Sequence, residues 1–369
     1  MVFNSIFFIF CFLPVFMMIY YLVPGKLRNL LLFLGSLIFY AWGEPVYVIL
    51  MLFSSIFNYY MGTELERLYY DDRKQKINLI FSIIINLAVL VFFKYYGFLL
   101  NTIGGIIGIH IPHPELSLPI GLSFYTFRNL SYLFDIYLSK VSAQRNFLTF
   151  AVYSTMFPYT SAGPIVRYAD IETQLKQRTI NISKFGIGAE LFVKGLAKKV
   201  LLADNLSVLY SSICGHPQMS VFTSWLGILA YTMQLYFDFS GYSDMAIGLG
   251  KMLGFDFNKN FDYPYISTSV SEFWRRWHIS LGSWFRDYIY IPLGGNRVST
   301  LKHIRNILVV WALTGLWHGA SWNFVLWGVY YGLFLLLEKF VLQEYLKKIP
   351  SWLCTVYTCL LYTSDAADD

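Results

Sequence analysis

Charged side chains are scarce in this chain. Asp, Glu, Lys and Arg supply 14% of its 369 residues, against 56% hydrophobic and 20% aromatic. A soluble domain carries about 25% charge, so the composition argues against a soluble enzyme and for a multi-span membrane protein. Cysteine is sparse as well. Cys11, Cys214, Cys354 and Cys359 form neither a C-x-x-C pair nor a metal-ligand spacing, which leaves them as apolar fillers. The sequence has no G-x-x-x-x-G-K-[ST], no H-E-x-x-H and no G-x-S-x-G, so a phosphate-cradling loop, a zinc protease site and a serine elbow are unsupported. Nor does an internal repeat favour an inverted-repeat transporter. The net charge of +6 could suggest nucleic acid, but the basic residues sit in short connections between apolar runs, which is how membrane topology is encoded.

What the chain does have is apolar length. Residues 3–23, 46–62 and 77–100 approach or exceed the roughly 20 apolar residues that cross a bilayer. The first run lacks a basic leader and an A-x-A cleavage site, and so reads as a retained span. Lys26 and Arg28, then Arg67, Arg73, Lys74 and Lys76, then Lys140 and Arg145 follow alternate runs, whereas 42–45 and 101–119 hold no Lys or Arg. That alternation predicts a multi-pass protein of the cytoplasmic (inner) membrane with its amino terminus outside.

Between residues 119 and 254 the apolar runs are repeatedly interrupted by Pro, Gly and polar residues. Irregular backbone survives at membrane depth only where protein or a water-filled cavity covers it, so the middle of the chain is expected to enclose a cavity. The stretch YTMQLYFDFSGYSDMAIGLG, 231–250, places Gln234, Asp238 and Gly241 on one helical face. An acid there either marks function or pairs with a neighbouring Arg to fix packing.

Ser269 with Glu272 three residues on signals a helix start, and Pro292, Gly294 and Gly295 signal its end. A helix between them gathers Phe273, Trp274, Trp277, Leu281, Trp284 and Tyr288 on one side and Arg275, Arg276 and Arg286 on the other, as an amphipathic interfacial helix would. His278 falls at the seam. His318 lies between the apolar run 304–317 and another at 322–337, where desolvation favours the neutral imidazole that can accept a proton from a hydroxyl. Asn323 is placed to orient it. A core histidine bonded to a backbone carbonyl is compatible with the same pattern at either position.

The ordered set PIGLSFYTF (119–127), GPIVRY (163–168), YFDFSGYSDMAIGLGKMLGF (236–255), NFDYPY (260–265), EFWRRWHISLGSWFRDYIYIPLGGNR (272–297) and LTGLWHGASWNFVLWG (313–328) resembles the membrane-bound O-acyltransferase (MBOAT) family. The likeness is to the branch that acetylates exported polysaccharide such as alginate. It implies an all-α polytopic fold, a ring of transmembrane helices with interrupted or re-entrant segments around a central tunnel. It also implies one transmembrane domain over 1–362, truncated at its carboxyl end, with 363–369 as a non-native tail. Arg128 stands where family members carry a neutral residue such as Gln.

In the resembling family the histidine of W-H-G, here His318, is taken as catalytic, and that of W-H-I-S, here His278, lies along the same tunnel. No bound cofactor is implied. Acetyl-CoA would be the acyl donor, drawn by Arg275, Arg276, Arg286, Arg297 and Lys302, with His278 positioning the thioester or stabilising its oxygen. Gln234, Asp238, Arg275, Arg276, Trp277 and Asn323 would bind substrate. The expected partners are membrane lipid, an exopolysaccharide acceptor and a periplasmic or extracytoplasmic acetyltransferase; no nucleic acid is expected. Two alternatives stay open: D-alanyl transfer to teichoic acid, and a proton-coupled transporter or flippase with Asp238 and His318 as its relay.

Overall fold

The computed structural model describes residues 1–114, 116–216 and 219–365, and every regular element among them is a helix. Helices satisfy their own backbone groups, as a chain immersed in hydrocarbon must. The residues group into two compact units, Met1–Asn181 with Leu253–Phe257, and Ile182–Met252 with the chain from Asn258 onward. The end of the suspected tail, 366–369, lies outside the described residues.

The first unit comprises α1 (Leu13–Leu22), α2 (Arg28–Ala41), α3 (Val48–Arg67), α4 (Asp72–Lys94), α5 (Tyr96–Ile107), α6 (Leu122–Tyr137), α7 (Phe147–Thr155) and α8 (Tyr168–Lys176). Both α3 and α4 are long and apolar enough to cross a membrane. The expected first span is shorter than its apolar run, with helix over Phe8–Leu22. Val23 is extended ahead of Pro24, as a residue preceding proline tends to be, and that stops the helix. The run 77–100 is divided as well, because α4 ends at Tyr95, where α5 takes over.

Polar pairs join these apolar helices. Asn58 of α3 and Asn86 of α4 exchange amide hydrogen bonds of 3.0 and 2.9 Å, and Asn129 of α6 donates to Ser54 Oγ at 3.0 Å. Arg128 is fully buried. Its guanidinium donates to the carbonyls of Tyr159 (2.7 Å) and Ser154 (3.0 Å) and lies 4.5 Å from the Tyr159 ring centroid. The departure from a neutral residue is thus accommodated by backbone acceptors and an aromatic face.

The second unit holds α9 (Ile182–Ala197), α10 (Asp204–Cys214), α11 (Val221–Met252), α12 (Val270–Arg276), α13 (Ile279–Phe285), α14 (Thr300–His318), α15 (Trp322–Leu337), α16 (Gln343–Leu346) and α17 (Ser351–Asp365). The continuous stretch Trp322–Leu346 is a third segment long and apolar enough to span. The α14 and α15 backbones touch. A Cβ added at Gly315 would run into the Phe324 carbonyl, and one at Gly328 into that of Trp311. Small residues permit such approach where lipid offers no hydrophobic drive for helix association. His318 sits three residues beyond Gly315, so this crossing sets its position.

One carboxylate ties α12 to the end of α15. Glu338, buried, accepts from the backbone N–H of Val270 (2.7 Å) and of Ser271 (2.9 Å), two donors that a helix start leaves without intrahelical partners. Ser269 adds the expected N-cap, accepting from Glu272 N at 3.0 Å. Glu338→Ala strands the two donors, and should destabilise the protein by about 1–3 kcal/mol, measured as a lowered melting temperature in detergent; an unchanged melting temperature would refute the capping role.

Candidate active site

The stretch expected to form one helix from Ser269 toward Pro292 is broken. Helical hydrogen bonding ends with the N–H of Trp277, which donates to Phe273 O, and α13 begins at Ile279. His278 occupies the break with φ +43° and ψ +53°, a left-handed conformation that non-glycine residues adopt rarely and that clusters at functional sites. The released backbone groups find partners in residues 260–262. Asp262 N donates to Arg276 O, and Ile279 N to Asn260 O, both at 2.9 Å. This pairing explains how a break with no Pro or Gly persists.

The imidazole of His278 is buried. Its Nδ1 is 3.2 Å from Asn260 Oδ1, and the Phe239 and Trp317 rings meet it edge-on. Burial disfavours a charged imidazole at His278, which shares its cavity with His318. His318 ends α14, half-buried, with the rings of Trp317 and Trp327 at 5.0 and 4.8 Å. The expected face of Phe273, Trp277, Leu281, Trp284 and Tyr288 is buried in protein rather than laid at headgroup depth. Phe273 and Trp277 pack with Tyr331 in one buried cluster.

Both histidines line one cavity of about 360 Å³. Trp274, Trp277 and Trp311 wall it, and Arg275, Arg286 and Lys339 bring positive charge. An imidazole pair in an apolar chamber, with cations on the same wall, can deprotonate a hydroxyl and hold an anionic donor.

The sequence model of the MBOAT, membrane-bound O-acyltransferase family, matches residues 42–349. The chain belongs to that family. It is 45% identical over 92% of its length to the probable alginate O-acetylase AlgI of Pseudomonas aeruginosa, covering 66% of that protein. It is 34% identical over 96% of its length to the peptidoglycan O-acetyltransferase of Helicobacter pylori, covering 75%, and 28% identical over 66% to the teichoic acid D-alanyltransferase of Bacillus subtilis, covering 64%. The chain spans about two thirds of the length of the alginate O-acetylases it matches.

Of the candidate catalytic, substrate-binding and donor-binding residues, this MBOAT chain brings His278, His318, Arg275, Arg286 and Trp277 to the cavity. Six others lie elsewhere, Arg297 and Lys302 among them. Arg276 is taken by Glu272 (2.9 Å) and Asp262 (3.7 Å). Gln234 and Asp238 do not line the cavity. Asp238, 42% exposed, pairs with Lys199 at 3.0 Å, the same ammonium that holds Asp204, a lysine rather than an arginine. Asn323 is exposed in the first turn of α15 and makes no hydrogen bond to His318; aromatic rings surround that imidazole instead. Sequence reasoning missed Asn260 and Lys339, although Asn260 opens the NFDYPY motif and its Asn was the one signal available.

A half-exposed pair contributes little. Asp238→Asn is therefore expected to alter stability by less than about 1 kcal/mol, read as a melting temperature close to that of the native protein; a loss as large as that of Glu338→Ala would give Asp238 a role the ion pair does not explain.

Proposed function

We propose that the protein is a membrane-embedded O-acyltransferase that moves an acetyl group from a cytoplasmic thioester, acetyl-CoA, to a hydroxyl of an extracytoplasmic polysaccharide of the alginate kind, directly or through a partner acetyltransferase. The observation that carries this reading is the shared cavity of His278 and His318 with Arg275, Arg286 and Lys339 on its wall. The names of the more similar relatives favour acetyl over D-alanyl as the group moved. A proton relay through Asp238 gains no support, because that carboxylate is paired with Lys199 and lies off the cavity.

In this reading His318 is the general base. It takes the proton of the incoming hydroxyl while the oxygen attacks the thioester carbonyl carbon. The tetrahedral intermediate collapses by breaking the C–S bond, and the departing thiolate takes the proton that His318 accepted, which returns the base to its neutral form. His278 is the second imidazole on the reacting groups. Arg275, Arg286 and Lys339 hold the phosphates of the donor on the cytoplasmic side. The cavity is part of a passage through a ring of helices in the inner membrane, with the amino terminus outside.

Labelled acetate transfer to extracellular polysaccharide, in cells producing the full-length protein, tests the assignment. His318→Ala is expected to lower transfer by roughly 10²–10⁴-fold, the usual worth of a general base, at equal membrane abundance. Label transferred equally by both forms would remove His318 from the mechanism. Absence of label from the native form, with D-alanine transferred instead, would overturn acetyl as the group.

A further inference from the structure

The Asn260 side chain is buried, and both its amide oxygen and its amide nitrogen have hydrogen-bond partners. Its orientation follows from one unambiguous donor. The backbone N–H of Ser280 can only donate, and the amide atom it meets at 3.1 Å is therefore Oδ1. Nδ2 then faces Ser243 Oγ at 3.1 Å, as a donor toward an acceptor. Oδ1 also accepts from Ser280 Oγ at 2.9 Å.

An amide oxygen has no proton to offer. The His278 Nδ1 that faces it at 3.2 Å makes this contact a hydrogen bond only when it carries the hydrogen itself. Ser280 Oγ lies nearer to Oδ1 (2.9 Å) than to Nδ1 (3.4 Å), which favours its proton on the amide oxygen. In a neutral imidazole with the proton on Nδ1, Nε2 is a bare lone pair. That atom is buried with no hydrogen-bond partner among the described residues, on a residue lining the cavity it shares with His318.

From this geometry we infer that Asn260 is a positioning residue that locks the tautomer of His278, so that His278 Nε2 serves as a hydrogen-bond acceptor for a hydroxyl of the acceptor substrate. This rests on the acyl-transfer reading and changes one part of it. Stabilising the thioester oxygen, the role expected for His278, requires an N–H aimed at the cavity, and this tautomer presents none. A polyhydroxylated acceptor such as a sugar meets both imidazoles. One hydroxyl gives its proton to His318 and becomes the nucleophile, and a neighbouring hydroxyl donates to His278 Nε2 and fixes the ring. Selection of vicinal hydroxyls over an isolated one follows from that arrangement.

The test has two independent readouts. The ¹⁵N spectrum of histidine-labelled protein, with the His278 signals identified by their loss in His278→Gln, reports the tautomer without reference to activity. The native protein is expected to show Nδ1–H. Asn260→Ala should release that preference and lower acetyl transfer about 10- to 100-fold, the size of effect seen when the hydrogen-bond partner that orients a metal-bound histidine is removed. Asn260→Asp keeps an acceptor opposite Nδ1, and should retain the Nδ1–H form and recover most of the rate. Nε2–H in the native protein would overturn the inference, whatever the activity. So would Asn260→Ala with tautomer and rate unchanged. If Asn260→Ala does not accumulate, the native spectrum and the Asp variant still decide. A native protein with the Nδ1–H tautomer and no acetyl transfer would count against the proposed reaction while leaving the Asn260 lock intact.

Discussion

A helix interrupted away from water must have its freed backbone groups satisfied by other protein, and the second unit is arranged around one such interruption. Between Arg276 and Ile279 the chain leaves helical geometry without a proline or glycine to force it. What sustains the break is residues 260–262, whose backbone pairs with Arg276 and Ile279 and whose Asn260 amide reaches Ser280. Remove those partners and several buried donors and acceptors are orphaned together, each costing about 1–3 kcal/mol. The left-handed His278 is the local strain that these bonds hold in place.

The same break decides the chemistry of the chamber. A continuous helix over this stretch would direct its residues along fixed faces at fixed spacing. With the interruption, Trp277 and Phe273 stack on each other and pack against Phe261, while the imidazole next to them turns to Asn260 and the cavity. Apolar rings exclude water from around the two histidines and strengthen the few polar contacts that remain. Positive charge is kept to Arg275, Arg286 and Lys339 on the same wall. Glu338 links this wall together, because it caps α12 from the helical stretch that also carries Lys339.

Much of this was legible in the sequence for physical reasons that can be named. Apolar run length located α3 and α4, and the Ser269 cap with Glu272 located the start of α12. His278 and His318 stood out because an imidazole is conspicuous among tryptophans, and the structure brings both to one cavity. The helix break was not legible. Its cause is tertiary, a pairing with residues about eighteen positions earlier, and the local sequence WRRWHIS is compatible with continuous helix. Asp238 misled for a related reason. Its helical face was read correctly as polar, but the cation that meets it, Lys199, lies in a segment whose packing no periodicity announced. Asn323 failed because proximity in sequence to His318 does not survive the turn at Gly319–Ser321, which carries it to an exposed face.

The two imidazoles are held by different kinds of force. His318 depends on backbone contact, for α14 and α15 approach closely enough at Gly315 and Gly328 that a methyl group has no room. Bulk at Gly315 or Gly328 would push on the facing backbone carbonyls and move the end of α14, and His318 with it. His278 depends on hydrogen bonds, and a change of shape near it matters less than a change of donor or acceptor at Asn260, Ser243 or Ser280. A site assembled in this way can be adjusted at either histidine independently. Steric substitutions shift where the base stands, and polar substitutions shift which protons its neighbour presents, so a single chamber can be retuned for different hydroxyl acceptors while its helical frame is kept.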